Sequence, residues 1–203
     1  EGLHADVQQH LRYVQQHCPF RYLRFHGIFD DAMMVYQEDE NGHPVFNFRF
    51  VDQLFDFLLS IGLKPFVELG FMPGELAADP SKTIFYKASY TSPPKSIDHW
   101  CQLVKAFILH CQSRYGKSEV ESWKFEFWNE PEGRLGASPH WTIENIAKTV
   151  KAAHRGMKAA NPNAKLAIGN NLDLVAGIQK HAGSDCFEIV TLHPYPWGLG
   201  FAW

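Results

Sequence analysis

The 203-residue sequence lacks an excess of basic residues, paired cysteines and long apolar runs. Its formal net charge is −3, so the chain has no positive field that would favour a nucleic-acid partner. No apolar run approaches the roughly 18 residues that a membrane-spanning helix needs, and we expect no membrane partner. The N-terminal residues have the pattern of an amphipathic helix and not that of a signal peptide.

Cysteine and histidine are present but scattered, with four Cys and eleven His along the chain. Because they form no CxxC pair and no Cys/His ligand spacing, the sequence predicts neither a metal site nor another cofactor. A reducing compartment and a secreted enzyme without disulfides both fit this cysteine usage. The first is favoured, so we expect a cytoplasmic protein rather than a secreted one. The sequence indicates no oligomeric state.

Strand and helix patterns alternate along the chain, which predicts an α/β fold with a parallel sheet. No GxGxxG or GxxxxGK[ST] motif follows a strand, which argues against a nucleotide-binding sheet. Long loops after the first three strands favour a TIM (β/α)8 barrel, although a flavodoxin-like sheet also satisfies the alternation. The predicted strands span residues 22–27, 64–70, 123–129, 165–170 and 187–193.

The predicted strands share one feature, since each ends on a polar residue or a glycine. In a barrel, these ends converge at one mouth, where several strands can contribute to a site. A single polar strand end is more often a helix cap or a surface group, but five in succession favour a functional interpretation. The ends are His26-Gly27, Glu68 with Gly70, Asn129-Glu130, Asn170-Asn171 and His193.

Glu130 is the strongest candidate for chemistry. It follows an aromatic and apolar strand, and Pro131 restricts the backbone directly after it. A partly desolvated position favours the protonated form of a carboxyl group, which can then donate a proton to a leaving oxygen. Asn129 offers donor and acceptor atoms to a sugar hydroxyl.

The motifs around this pair resemble those of a known enzyme family. The tetrad WNEP after FEF is similar to the strand-four signature of the (β/α)8 retaining glycosidases. Together with RFHGIFDDAMMVY, PFVELGFMP, FYKASYTSPP, SRYG and TLHPY, it resembles glycoside hydrolase family 39, the family of β-xylosidases and α-L-iduronidases. The similarity runs from about Phe20 to Tyr195, with the motifs in order. FHG and VELGFMP resemble the bacterial β-xylosidases more closely than the iduronidases.

The resemblance implies an exo-acting retaining β-xylosidase that releases xylose from β-xylosides, with xylosides or xylo-oligosaccharides as carbohydrate partners. It implies that Glu130 is the general acid/base and that Asn129 binds the glycone 2-hydroxyl. The other substrate-binding residues that it implies are His26, His193, Tyr195, Phe85 and Tyr86.

On the family pattern, residues 1–203 form one partial catalytic domain with strands two to six and their helices. Counterparts of strands one, seven and eight are missing, and the family nucleophile is a Glu at the end of strand seven. A retaining glycosidase needs two carboxyl groups roughly 5–5.5 Å apart, so the chain alone is expected to be inactive or weakly active. An iduronidase-like enzyme, another β-glycosidase and a non-catalytic carbohydrate-binding remnant remain open.

Glu126 and Arg24 have strand positions that point into the predicted barrel, and Glu68 lies near the end of its strand. We expect Arg24 to neutralise Glu126 or Glu68 there, because a lone buried charge would be too unfavourable. Loop charges at the mouth are expected at Glu132, Asp30 and Asp31.

Overall fold

A computed structural model describes residues 1–84, 89–132 and 139–194 of the chain. Its strands, in chain order, are β1 (Tyr22–Phe25), β2 (Tyr36–Glu38), β3 (Pro44–Phe46), β4 (Lys64–Glu68), β5 (Thr83–Ile84), β6 (Ser89–Tyr90), β7 (Lys124–Glu126), β8 (Leu166–Asn170) and β9 (Ile189–Leu192). The α-helices are α1 (Ala5–His17), α2 (Arg49–Ser60), α3 (Ile97–Tyr115), α4 (Lys117–Glu121), α5 (Ile143–Ala160) and α6 (Leu172–Ala182). None of these helices is long and apolar enough to cross a membrane.

The main sheet has five parallel strands in the order β1-β4-β7-β8-β9. Each strand therefore pairs with the next barrel strand along the chain, and a helix connects each pair. A doubly wound sheet would reverse its strand order at a switch point, and this sheet does not. The chain thus forms part of a (β/α)8 barrel, as the alternating pattern and the asymmetric loops predict.

Three of the helices that cover the outer face of the sheet begin at side-chain caps. Ser96 accepts a hydrogen bond from the backbone of His99 at the start of α3, and Thr142 and Asn171 cap α5 and α6 in the same way. These caps satisfy backbone N–H groups that have no partner inside a helix. The helices then present apolar stripes to the sheet, such as the buried residues Val51, Leu54, Phe55 and Leu58 of α2.

Aromatic rings fill the space between the sheet and its helices. Phe107 of α3 packs edge-on against Phe29, with ring centroids 5.3 Å apart, and against Phe125 of β7, with centroids 6.5 Å apart. Trp123 packs in the same geometry against Phe55 of α2. Edge-to-face contacts of this kind suit the ring quadrupoles, and each ring buries a large apolar surface. Phenylalanine is abundant here because it builds this core.

Two connections that the sequence indicates as loops contain short antiparallel strand pairs. β2 pairs with β3 after β1, and β5 pairs with β6 after β4. The turn between β2 and β3 places Gly42 at a φ of 79°, a conformation that glycine adopts without steric cost. Strands of two or three residues are too short to show a periodic pattern, which is why the sequence did not reveal them.

Helices α3 and α5 approach closely at Gly156, which leads to a stability prediction. A Cβ atom on Gly156 would lie 2.4 Å from the carbonyl oxygen of Cys101, so Gly156→Ala must push the two backbones apart. We expect a loss of about 1–3 kcal/mol in the free energy of unfolding, measured by urea titration with circular dichroism.

Gly177→Ala in α6 is the matched control. Its added Cβ would meet only the flexible end of Ile143 at 2.6 Å, and the substitution gains up to about 1 kcal/mol of helix propensity. Equal losses in the two variants would contradict the close approach of α3 and α5.

Candidate active site

Two carboxyl groups lie side by side on the inner face of the sheet. Glu68 at the end of β4 and Glu126 at the end of β7 are register partners on neighbouring parallel strands. Both side chains are fully buried. Adjacent carboxylates repel one another and lose their hydration on burial, so a cation must lie next to them if both are ionised.

Arg24 of β1 supplies that cation. Its Nε donates to Glu126 Oε2 at 2.5 Å, and its Nη2 lies 3.5 Å from Glu68 Oε2. The planar guanidinium presents several donors in a fixed arrangement, so a single side chain can reach both carboxylates. The prediction that Arg24 neutralises the inward-facing glutamates is confirmed, and it reaches both of them.

The same guanidinium determines the orientation of Asn129. Arg24 Nη2 donates to Asn129 Oδ1 at 3.1 Å. Since arginine has only donors, the amide oxygen must face it, and the Asn129 amide NH₂ lies on the other side. This NH₂ group makes no hydrogen bond to any residue that the structure describes. Asn129 is therefore arranged to donate to a ligand oxygen, whereas the sequence left both donor and acceptor roles open.

His26 follows β1 and pairs with Glu68. Its Nδ1 lies within hydrogen-bond distance of Glu68 Oε2. The hydrogen bond to Glu68 raises the pKa of His26, and the nearby carboxylates add to this effect. Burial raises the pKa of Glu68, although His26 and Arg24 oppose that rise.

Glu130, the predicted acid, lies just beyond β7 next to His193. Its backbone φ is 46°, an unusual conformation for a residue other than glycine that costs on the order of 1–3 kcal/mol and is often found at active sites. His193 Nδ1 lies 2.8 Å from Glu130 Oε1, and its Nε2 lies 3.7 Å from Glu126 Oε1. The imidazole thus lies between the two carboxyl groups, where proton exchange with Glu130 is geometrically possible.

The described part of the chain brings together four of the seven residues that the sequence predicts for the site. Glu130, Asn129, His26 and His193 lie beyond the carboxyl ends of β7, β1 and β9, and the charged cluster of Arg24, Glu68 and Glu126 connects them. The other three, Phe85, Tyr86 and Tyr195, lie outside the described residues.

Thr191 belongs to the charged cluster, and the sequence did not indicate it. Its Oγ1 donates to Glu126 Oε1 at 2.7 Å, which satisfies the oxygen that Arg24 does not reach. The sequence does contain a signal for Thr191, because it lies two residues before His193 and side chains two positions apart on a strand share a face.

The expected loop charges have structural partners. Glu132 accepts hydrogen bonds from the side-chain amides of Asn170 and Asn171, both at 2.7 Å. Asp30 accepts from the backbone N–H of Phe71, and Asp31 accepts from the backbone N–H of Gly74. These contacts hold the loops after the strands in place. Within the described residues, no group of three or more His, Cys, Asp and Glu side chains could hold a metal ion.

Removing Arg24 tests the charged cluster. Arg24→Met leaves Glu68 and Glu126 buried without a cation, and we expect the free energy of unfolding to fall by about 3 kcal/mol at neutral pH. Burial raises the pKa of Glu68, so protonation of Glu68 favours the folded state. This contribution is present at low pH and is lost as pH rises through the raised pKa. The destabilisation by Arg24→Met should therefore be smaller near about pH 5.

Urea titrations at the two pH values measure this difference. Adding Glu126→Gln to Arg24→Met should restore part of the lost stability, because it removes one of the two unpaired charges. The exposed Arg49→Met is the matched control and should change little. A pH-independent loss in Arg24→Met would contradict the role of buried ionised carboxylates.

The chain is similar in sequence and fold to several known glycosidases. A β-xylosidase from Caldicellulosiruptor saccharolyticus is 35% identical over 99% of this chain and 42% of its own length. A β-xylosidase from Geobacillus stearothermophilus is 39% identical over 64% of this chain and 26% of its own length. The solved structure of a GH39 β-xylosidase from Caulobacter crescentus superimposes with a TM-score of 0.83 at 30% identity, over 97% of this chain and 44% of that one.

The chain therefore spans less than half the length of these relatives. The family model described as glycosyl hydrolases family 39 matches residues 1–180, and the chain belongs to that family.

Proposed function

We propose that the protein containing this chain is a retaining, exo-acting β-xylosidase and that Glu130 is its general acid/base. The observation that carries the proposal is the geometry of Glu130, whose carboxyl group lies at the barrel mouth within 2.8 Å of an imidazole nitrogen. Its side chain is 13% exposed, so it is sheltered from bulk water yet accessible to a ligand. Membership of family 39 supports this assignment.

In the proposed reaction, Glu130 acts twice. As an acid, it donates a proton to the glycosidic oxygen when the leaving group departs. As a base, its carboxylate then takes a proton from the water that hydrolyses the glycosyl-enzyme intermediate. His193 lies close enough to stabilise the carboxylate form between the two steps. We assign the Asn129 NH₂ group to the glycone 2-hydroxyl and His26 to another hydroxyl of the same sugar.

The reaction also needs a nucleophilic carboxylate roughly 5–5.5 Å from the acid. Glu126 is held by Arg24 and Thr191, and Glu68 is held by His26, so neither is arranged to attack a sugar carbon. We therefore propose that residues 1–203 are a partial catalytic domain and that the nucleophile is a Glu on a strand seven outside it, as the resemblance to family 39 implies.

Xylose is the proposed glycone because the β-xylosidases match this chain more closely than the iduronidases do. An α-L-iduronidase from Drosophila melanogaster is 29% identical over 141 residues. The β-xyloside substrate and the β-xylosidase activity are proposals for the whole protein.

We also propose a cytoplasmic location. All four cysteines are free thiols, as is usual for proteins of reducing compartments.

The isolated 203-residue chain provides a first test. We expect it to bind methyl β-xyloside but to hydrolyse 4-nitrophenyl β-xyloside slowly or not at all, because no described carboxylate is arranged as a nucleophile. Isothermal titration calorimetry and release of nitrophenol measure the two properties, and an iduronide substrate serves as the comparison. Turnover that depends on Glu130 would contradict the partial-domain proposal. Preferential binding of the iduronide would favour the alternative of an iduronidase-like enzyme.

Substitution of Glu130 tests the mechanism in any form of the protein that hydrolyses β-xylosides. Glu130→Gln should lower kcat by about 10²–10⁴-fold, since the amide cannot donate or accept the proton. The loss should be largest for poor leaving groups, which need protonation to depart. Glu40→Gln, at an exposed loop position, is the matched control. If Glu130→Gln retains full activity on unactivated xylosides, Glu130 is not the acid.

A further inference from the structure

The fully buried Glu68 side chain makes one short hydrogen bond. Its Oε2 pairs with His26 Nδ1, and Arg24 Nη2 is farther from the same oxygen, at 3.5 Å. Its other oxygen, Oε1, makes no hydrogen bond within the part of the chain that the structure describes. Buried carboxylate oxygens normally have partners. The direct hydrogen bond of Glu68 is therefore the one to the imidazole.

His26 connects this buried carboxyl group to an open space. Its side chain is 40% exposed, and it lines a cavity of about 720 Å³ whose other walls include Leu3 and Val7 at α1 as well as Asp30 and Phe71. The imidazole ring packs at a tilt against Phe71, with centroids 6.1 Å apart. Since Nδ1 is used by Glu68, the ring nitrogen that remains for a ligand is Nε2, which makes no hydrogen bond to the described residues.

The protonation of the ring determines what Nε2 can offer. In a neutral imidazole that donates from Nδ1, Nε2 is an acceptor, whereas in an imidazolium both nitrogens are donors. We propose that Glu68 is a positioning residue that holds His26 as an imidazolium, so that Nε2–H donates a charged hydrogen bond to a hydroxyl oxygen of the bound sugar. This inference rests on the proposed function, because it concerns the same glycone site.

The charges around His26 support the imidazolium. The groups that act on the ring are Glu68 on β4, Glu126 on β7 and Arg24 on β1. Asp30 on the loop after β1, and Glu1 and His4 before α1, border the same cavity. With His26 protonated, the two cations Arg24 and His26 balance the two buried carboxylates. With His26 neutral and both glutamates ionised, the cluster would carry one unbalanced negative charge in a desolvated place, which is unfavourable.

The direction of the pKa shift agrees with this charge balance. The hydrogen bond to Glu68 raises the pKa of His26 more than burial and Arg24 lower it. A raised pKa in the folded state means that the protonated ring stabilises the fold at low pH, and that this contribution is lost as pH rises through the raised value. Sugar binding through Nε2–H should weaken over the same pH range.

Nitrogen NMR on the full chain labelled with ¹⁵N tests the proton state without any sugar. Long-range ¹H–¹⁵N correlations report whether each ring nitrogen carries a proton, and His26→Gln identifies the resonances of His26. We expect both nitrogens of His26 to stay protonated above the ordinary histidine pKa of about 6.5. In Glu68→Gln, His26 should lose its proton at or below about pH 6.5, while Glu40→Gln should leave the His26 titration unchanged.

A second measurement uses methyl β-xyloside as the probe. Glu68→Gln should weaken its binding by about tenfold to a hundredfold at neutral pH, since a charged hydrogen bond is lost. The pH dependence that His26 causes should disappear in Glu68→Gln and persist in Glu40→Gln. A purely structural role for Glu68 would move neither the His26 titration nor this pH dependence.

The two measurements separate the possible failures. A wild-type His26 that is neutral at neutral pH overturns the proposal even if Glu68→Gln does not fold. A folded Glu68→Gln that keeps the wild-type His26 titration or xyloside affinity also overturns it. If the wild-type chain binds no xyloside, the proposed function and the sugar contact both fail, whereas the NMR titration still decides whether Glu68 holds the imidazolium.

Discussion

The guanidinium of Arg24 lies between two fully buried carboxylates on neighbouring strands and within reach of both. Glu68 and Glu126 are placed side by side by the register of a parallel sheet, and this arrangement is tolerable only with a cation next to them. Because the strands supply all three residues, the sheet and the charged cluster depend on each other. The inner face of this sheet therefore carries a charged layer, although apolar side chains there would avoid the desolvation of buried charges.

The residues that we assign to the sugar are attached to this layer. Arg24 orients the Asn129 amide, Glu68 holds the His26 ring, and Glu126 lies next to His193. Each of these side chains thus has a charged group of this layer behind it, which restricts its rotation. Catalytic sites require positions that are defined within a fraction of an ångström, and hydrogen bonds to a rigid sheet can provide this. Among the residues that the structure describes, Glu130 combines a positive φ with a position directly at the mouth.

Much of the fold could be predicted from patterns along the chain. The five barrel strands and the amphipathic helices between them follow the expected order, because their apolar periodicity is strong. The strands are shorter than expected, as at β7, which ends at Glu126 although the aromatic pattern continues to Trp128. A strand ends where its regular hydrogen bonding to the neighbouring strand stops, whereas the pattern of buried residues can continue into the adjacent loop. The short strands within the long loops were missed because two or three residues show no periodic pattern.

The sequence by itself determined the family, the barrel alternation and the identity of Glu130 as the acid candidate. It did so because motifs and periodicity are properties of neighbouring residues. Only the tertiary structure decided that one arginine serves both carboxylates, that His193 faces Glu130, and that His26 is joined to Glu68. These contacts join residues from 42 to 102 positions apart. Their geometry depends on sheet register and side-chain packing, which no local pattern specifies.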